Sequence, residues 1–599
     1  MLTRARTSPG LEVRTREGVV RGVRERGIEA WRGIPFAAPP VGALRFRGPR
    51  PPEPFTGIRD ASRFGAVSAQ SREGNFIGAA KNAPMGEDCL TLNIVRPARP
   101  AADTVSMRPN AAPDAAPLLP VMVFIHGGAY SVGSSSEVPR NGDTLARDGN
   151  VVYVSINYRL GALGFLDFTG YSTPERPIEN NLGLKDCVAA LEWIQANIRE
   201  FGGDPLRVTL FGESAGANAV TTLMTVPRAS GLFARAIAQS SPTNAVYPPD
   251  LTREWGAQFV ELLSSRIAND SVENTTAEDA GEMLVTADWR DLVRATDALT
   301  TRAPDSDPGT IALCPVIDGD FLPERPLDAF KAGRAHPIPL IIGTNDREGA
   351  LFTGRLDILA TTPQRIRAIF SKTKKKARKA IKAEYPGLPA KRPAADFGGD
   401  YAFWYPTVKV AERHSRFAPV YFYRFDLAPR LVRLAGFDAT HGLELFAVFD
   451  RLGSPFGHTM TLLGGRRPFL RAGARMRRYW SSFAYTGVPD ARLPDSAREP
   501  ASAPVPTLAA DLSPASNLPQ ARASVPRTRR TTRAHDQSRV LDQSRAPHPS
   551  RALDQSRVLV WPRYDEARRR TLIIDSDDRI ESDPRRSRRL AWLAFVPHV

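Results

Sequence analysis

Gly212-Glu213-Ser214-Ala215-Gly216 is the stretch on which the reading of this chain turns. It follows the apolar run Val208-Thr209-Leu210-Phe211 and precedes a helical pattern that begins near Ala217. The order is strand, sharp turn, helix, with a serine at the apex. A turn this tight needs strained backbone angles, and a side chain at either flanking glycine would collide with neighbouring elements. The serine hydroxyl is therefore expected at the C-terminal edge of a sheet, with a helix N-terminus behind it. The five-residue pattern occurs by chance elsewhere; its strand and helix context is what makes Ser214 a nucleophile candidate.

Working outward, residues 121–125 and 151–156 are unbroken apolar runs, which fit strands buried on both faces of a mostly parallel sheet. Residues 184–201 carry Val188, Leu191, Ile194 and Ile198 at helical spacing and stop at Gly202-Gly203. Further strands are expected at 237–239, 339–343 and 420–425, with helices at 255–267 and 362–385. Alternating strand and helix argue for an α/β sheet covered by helices on both faces. The first 65 residues are rich in proline and read as an edge hairpin followed by an extended wrapping segment. Residues 100–120 read as an exposed loop. The stretch 494–557 is dominated by Ala, Pro, Ser, Arg and Gln and repeats Asp-Gln-Ser-Arg from Asp536, Asp542 and Asp554. It cannot bury enough apolar surface to offset its ordering entropy and is expected to be a disordered insertion.

The 599 residues are 42% hydrophobic, enough for a sizeable core. The formal charge of +17 raises nucleic acid as a partner. Arginine is spread along the whole chain, however, and the basic insertion lacks the interleaved aromatics that stack bases, so no nucleic acid is expected. The clusters 372–379 and 585–589 read as solvated faces. Cys89, Cys187 and Cys314 make neither a disulfide framework nor a zinc motif. No apolar run is long enough to span a bilayer, and no apolar segment follows the basic N-terminus. These features give the expectation of a cytoplasmic monomer, or of a secreted one if the start site is misassigned.

A nucleophilic serine needs a base, a group to orient that base, and donors for the oxyanion formed on attack. His126-Gly127-Gly128-Ala129 follows the strand at 121–125, and a glycine-rich turn there can aim N–H groups into a cavity. The N–H of Ala215, next to the serine, is a further donor. Among eight histidines, His441 lies in a loop that leads into an apolar helix. A loop can carry an imidazole to a distant serine, and His441 is favoured over the others without excluding them. The acid falls between serine and histidine in folds that use this turn. Glu348 fits, in Gly343-Thr344-Asn345-Asp346-Arg347-Glu348-Gly349, and Asp346 is its rival.

The chain resembles the type-B carboxylesterases, the family that includes the cholinesterases. The resemblance rests on Phe36-Ala37-Ala38-Pro39-Pro40-Val41-Gly42 with Arg45-Phe46, on Glu87-Asp88-Cys89-Leu90-Thr91-Leu92-Asn93, on Asn157-Tyr158-Arg159-Leu160-Gly161 and on Asn181-Leu182-Gly183-Leu184-Lys185-Asp186. It continues through Phe201-Gly202-Gly203-Asp204-Pro205, the Ser214 turn, Pro315-Val316-Ile317-Asp318-Gly319 and Tyr479-Trp480 with Phe483-Ala484. It implies an α/β-hydrolase fold, with the hydrolase domain over 1–493, the insertion over 494–557 and the completion of the domain over 558–599.

The resemblance further implies hydrolysis of small-molecule carboxylic esters through an acyl-enzyme, with Ser214 as nucleophile, Glu348 as acid and His441 as base. Gly128, Ala129 and Ala215 become the oxyanion donors, and Glu213 a supporting acid beside the triad. The mechanism calls for no metal or organic cofactor. A non-catalytic, cholinesterase-like adhesion protein is the alternative; such relatives lose a triad residue, and this chain keeps all three. Arg45 with Glu87 and Arg159 with Asp186 are implied to be buried ion pairs. Ser68 stands where the family often has the cysteine that pairs with the one at Cys89, while Cys187 and Ser241 replace the common Gln and Gly. Phe352, Phe403 and Trp404 are candidates to line the gorge. Activity is expected to fall below about pH 6.5, where a histidine base becomes protonated.

Overall fold

The computed structural model describes residues 11–72, 79–80, 82–98, 117–136, 142–267, 276–353, 358–490 and 559–595. The low-complexity stretch 494–557 and most of the expected loop at 100–120 lie outside the described residues. The core is an eleven-stranded sheet built, in chain order, from β1 (Val23–Glu25), β2 (Ile28–Pro35), β3 (Thr91–Pro97), β4 (Leu119–Ile125), β5 (Val152–Ile156) and β6 (Gly203–Glu213). It continues with β7 (Arg235–Gln239), β8 (Leu340–Asn345), β9 (Val420–Phe425), β10 (Arg570–Ile574) and β11 (Arg579–Ser582). Across the sheet the order is β11-β10-β9-β8-β7-β6-β4-β5-β3-β2-β1. Strands β4 to β10 pair in parallel, and antiparallel strands finish both edges. Residues 570–582 thus supply the last two strands of one edge.

Side chains alternate across a strand, so an unbroken apolar run feeds two cores at once. In β4, Val121, Val123 and Ile125 enter one hydrophobic cluster, while Met122 and Phe124 enter the other. In β8, Leu340 and Ile342 face the first cluster and Ile341 the second. Helices cover both faces. The helix α1 (Leu182–Asn197) buries Val188, Leu191 and Ile194 and passes through a short 3-10 turn to Gly202 at φ 81°, as the two glycines predict. The single helix expected at 362–385 is two, Pro363–Ser371 and Lys375–Glu384. Lys372-Thr373-Lys374 between them has too little apolar surface to hold a continuous helix against the core.

The C-terminal ends of the parallel strands form one edge, the place where such sheets build their sites. Register fixes two neighbours there. Gly212 in β6 pairs with Ile125 in β4, so the chain leaves the sheet side by side at Ser214 and at His126.

Candidate active site

Ser214 sits at the turn between β6 and helix α2 (Ala215–Leu223), with φ 58° and ψ −125°. A serine at positive φ is strained, and the surroundings hold it there. Its N–H donates to the Gln239 carbonyl of β7 at 2.9 Å, and its carbonyl accepts the Asn218 N–H at 2.9 Å. The turn closes only because a glycine follows: a Cβ on Gly216 would lie 2.1 Å from the Ile125 carbonyl oxygen.

The glycine-rich turn comes down beside the serine. A Cβ on Gly127 would stand 3.0 Å from Ser214 Cβ. Gly128, Ala129 and Tyr130 follow at φ 113°, 52° and 57°, an unusual left-handed run that turns successive N–H groups the same way. Among the described residues, the N–H groups of Gly128 and Ala129 make no hydrogen bond. Ala215, as the first residue of α2, has no intrahelical acceptor for its own. Two buried tyrosines fix the turn. Tyr130 Oη donates to Asn218 Oδ1 at 2.7 Å, and Tyr158 Oη donates to the His126 carbonyl at 2.6 Å. His126 itself stacks on Tyr158 and is driven down to about 4 by burial, so it stays neutral and structural.

Glu348 begins a 3-10 turn three residues past the end of β8 and is buried. One of its oxygens accepts from the Asn345 N–H at 2.7 Å and from Ser240 Oγ at 2.6 Å. The other lies 2.6 Å from His441 Nδ1. Asp346, the rival acid, turns away and pairs with Arg585 at 2.8 Å. On its far side, His441 Nε2 faces Glu213 Oε1 at 3.2 Å, and no hydrogen bond joins Nε2 to Ser214 Oγ. Burial alone would lower this imidazole, but the Glu213 and Glu348 carboxylates outweigh it and raise the group to about 9. These carboxylates argue for an acid limb above the 6.5 of a free histidine base. Phe403 and Phe352 lie against the ring, with centroids 4.3 and 5.2 Å away. Trp404, the third aromatic candidate, instead packs beneath the Arg585 guanidinium.

A charged frame that sequence reading missed holds the acid turn to the histidine loop. Arg347 donates to Asp396 at 2.8 Å, to Asp438 at 2.7 Å and to the Gly436 carbonyl at 3.1 Å, while its N–H donates to the Ala439 carbonyl at 3.0 Å. Asn345 Nδ2 adds a bond to the Thr440 carbonyl at 2.7 Å. Arg585 bonds to Asp346 and to Asp400, so it joins the acid turn to the π-helical turn Asp400–Trp404 that carries Phe403. The expected solvated face at 585–589 is therefore wrong for Arg585, whose side chain is only 12% exposed. Glu444 is fully buried between Gln239 and Asn345, and burial first and Glu348 second hold its carboxyl above the ordinary range. Its only signal in sequence was its place three residues after His441.

The expected ion pairs form: Arg45 Nε to Glu87 at 2.9 Å, and Arg159 to Asp186 at 2.8 and 2.7 Å. Cys89, Cys187 and Cys314 are free and buried. Ser68, opposite Cys89, donates to the Tyr158 carbonyl at 2.6 Å and so supports the glycine-rich turn through Tyr158. Ser241 Oγ lies 3.0 Å from Thr221 and 2.8 Å from Thr243, a hydroxyl cluster behind α2. Among the described residues, no group of three or more His, Cys, Asp or Glu is placed to hold a metal ion. None of the described helices is long and apolar enough to cross a membrane.

The profile of the carboxylesterase family matches residues 9–516. Para-nitrobenzyl esterase of Bacillus subtilis is 35% identical over 442 residues, covering 74% of this chain and 83% of that protein. Fumonisin B1 esterase of Sphingopyxis macrogoltabida is 36% identical over 80% of this chain and 83% of its own length. Acylcarnitine hydrolase of Rattus norvegicus is 34% identical, again over 80% and 83%. Among solved structures, a PNB esterase superposes with a TM-score of 0.72 at 29% identity, over 98% of this chain and 99% of that one. A Geobacillus stearothermophilus carboxylesterase gives 0.70 at 29% identity, over 97% and 100%.

Proposed function

The chain belongs to the carboxylesterase family, has its α/β-hydrolase fold and is a carboxylic ester hydrolase; from that premise, we propose that it works through an acyl-enzyme on Ser214, with His441 as base and Glu348 as orienting acid. The observation that carries this reading is the 2.6 Å contact of His441 Nδ1 with Glu348, at the strand edge where Ser214 meets the glycine-rich turn. His441 Nε2 leaves Glu213 and takes the Ser214 proton as Oγ bonds to the ester carbonyl carbon. The carbonyl oxygen becomes an oxyanion, received by the N–H groups of Gly128, Ala129 and Ala215. His441 then gives its proton to the departing alkoxide, and the C–O bond breaks. Water repeats the sequence, losing a proton to His441 and releasing the acid and the free serine.

The substrate is a small ester that places an apolar group against Phe352 and Phe403, the rings beside His441. The names of the relatives, which span para-nitrobenzyl, fumonisin and acylcarnitine esters, support esters of varied alcohol and acyl parts. Every group in the scheme comes from one chain, so a monomer suffices for it. Three free cysteines favour a reducing, cytoplasmic location. The stretch 494–557 is read as an insertion in a hydrolase domain carried by 1–493 and 558–599, a reading supported by the pairing of β10 with β9. Ser214→Ala is expected to lower kcat on nitrophenyl esters by roughly a thousandfold or more, with an unchanged circular-dichroism spectrum. A folded variant with near-normal turnover would refute the assignment.

A further inference from the structure

The helices around the His441 loop carry a surface that ester chemistry does not explain. Helix α3 (Arg430–Leu434) precedes that loop, and α4 (Leu443–Val448), α5 (Pro455–Met460) and α6 (Arg466–Thr486) follow it. The stretches 427–437 and 451–474 contain six arginines and neither Asp nor Glu, in a chain where acidic residues number 64. The same stretches expose Leu434 at 76%, Leu462 at 72%, Phe456 at 58%, Leu463 at 50% and Leu470 at 36%. Single exposed leucines are ordinary; five on adjoining elements are not.

These elements lie together. Helix α3 packs beside α5, and Phe456 of α5 lies against Phe446 of α4. The Gly464-Gly465 turn runs along the start of α3: a Cβ on Gly465 would stand 3.0 Å from the Pro429 Cα. Leu462 and Leu463 form the tip just before that turn. Where α6 begins, Arg467, Leu470 and Arg471 are exposed, while Phe469, Ala472 and Met476 on the opposite side are buried. Among the described residues, Arg430, Arg433, Arg467 and Arg471 are in no ion pair.

We infer that this face docks on an anionic lipid surface. Apolar side chains exposed on a tip and a helix end, with unpaired arginines on the same elements and Asp450 the exposed carboxylate at their border, match an interface of acyl chains beneath anionic headgroups. Leu462, Leu463 and Phe456 enter the acyl boundary, and the arginines bind headgroup phosphates, with which a guanidinium makes paired hydrogen bonds. A protein partner is less well matched, because interface cores favour Tyr and Trp, and neither is exposed here. Nucleic acid is less well matched for want of stacking aromatics. Docking would keep the loop of His441 close to a phase in which apolar esters collect. The inference does not depend on the role given to Ser214.

The test is cosedimentation of the full chain with vesicles of phosphatidylcholine alone or of phosphatidylcholine and phosphatidylglycerol mixed two to one. Wild-type protein is expected to sediment with the mixed vesicles, not with the neutral ones, and to be released by high salt. L462S/L463S and R467E/R471E should each weaken partitioning about tenfold or more, since each headgroup-facing arginine is worth roughly fivefold. Both variants should hydrolyse a water-soluble nitrophenyl ester at the wild-type rate, which shows that they fold. K375E/K376E, on the exposed basic helix Lys375–Glu384, removes equal charge and should bind as the wild type does. Equal binding to neutral vesicles, undiminished binding by the patch variants, or an equal loss in K375E/K376E would overturn the proposal. So would patch variants that dissociate a dimer in sedimentation velocity while vesicle binding stays the same.

Discussion

The two halves of the site are built by different physics. On the serine side, backbone does the work. Ser214, Gly128, Ala129 and Tyr130 all sit at positive φ, glycines allow strand ends to touch, and the proposed oxyanion donors are main-chain N–H groups. On the histidine side, side-chain charge does the work. His441 lies between Glu348 and Glu213, and Arg347 and Arg585 tie the acid turn to Asp438 and Asp400. A backbone device is intolerant of an added atom but indifferent to pH. A charge device tolerates substitution in steps and shifts with protonation.

That difference can be broken from either side. Apart from the loss of Ser214 itself, the largest effect is expected at the acid: Glu348→Gln removes the charge proposed to orient His441 and should lower kcat roughly 10⁴-fold, the scale seen when a triad acid becomes an amide. Steady-state kinetics with retained near-ultraviolet circular dichroism would check it; a loss under tenfold would separate Glu348 from the chemistry. Next is Gly216→Ala. One methyl placed 2.1 Å from the Ile125 carbonyl must displace the turn, at a cost on the order of 3 kcal/mol in urea unfolding. An unchanged midpoint would show that the strand ends are looser than described.

Arg347→Met should act more gently. Glu348 and His441 keep their side chains but lose part of the frame between them, so kcat should fall about tenfold with KM nearly unchanged. Arg347→Lys, able to satisfy one of the two carboxylates, should recover part of that loss. A rise in KM with unchanged kcat would instead place Arg347 in substrate binding.

The smallest effect sharpens the comparison most. With His441 raised to about 9 by Glu213 and Glu348, the neutral base gains population as pH rises, so the acid limb of kcat/KM should lie well above 6.5. Glu213→Gln removes one of the two attracting carboxylates and lowers the imidazole pKa. The limb should move to lower pH by about one unit. A limb that stays in place would mean that Glu213 does not sense the protonation of His441.

The same contrast explains what could be read from the chain. The serine side was legible because its cause is local: G-x-S-x-G after a strand, and His-Gly-Gly after another, state the backbone they need. The sheet was legible because unbroken apolar runs such as 121–125 have few other uses. The histidine side was not legible from residue patterns alone. Asp346 and Glu348 are indistinguishable as letters, and their roles separate only when Arg585, 239 positions away, claims Asp346. Nothing in the sequence sets Arg347 apart, and Arg585 reads as part of a solvated run. Glu444 carried no periodicity, and its neighbours Gln239 and Asn345 reach it from two strands that pair only in the folded sheet.

The most direct test of the account is the mass of the protein after incubation with diethyl nitrophenyl phosphate. The account predicts one diethylphosphoryl adduct per chain, released nitrophenol in equal amount, and a modified peptide containing Ser214, all absent in Ser214→Ala. No adduct, or an adduct that persists in Ser214→Ala, would contradict it.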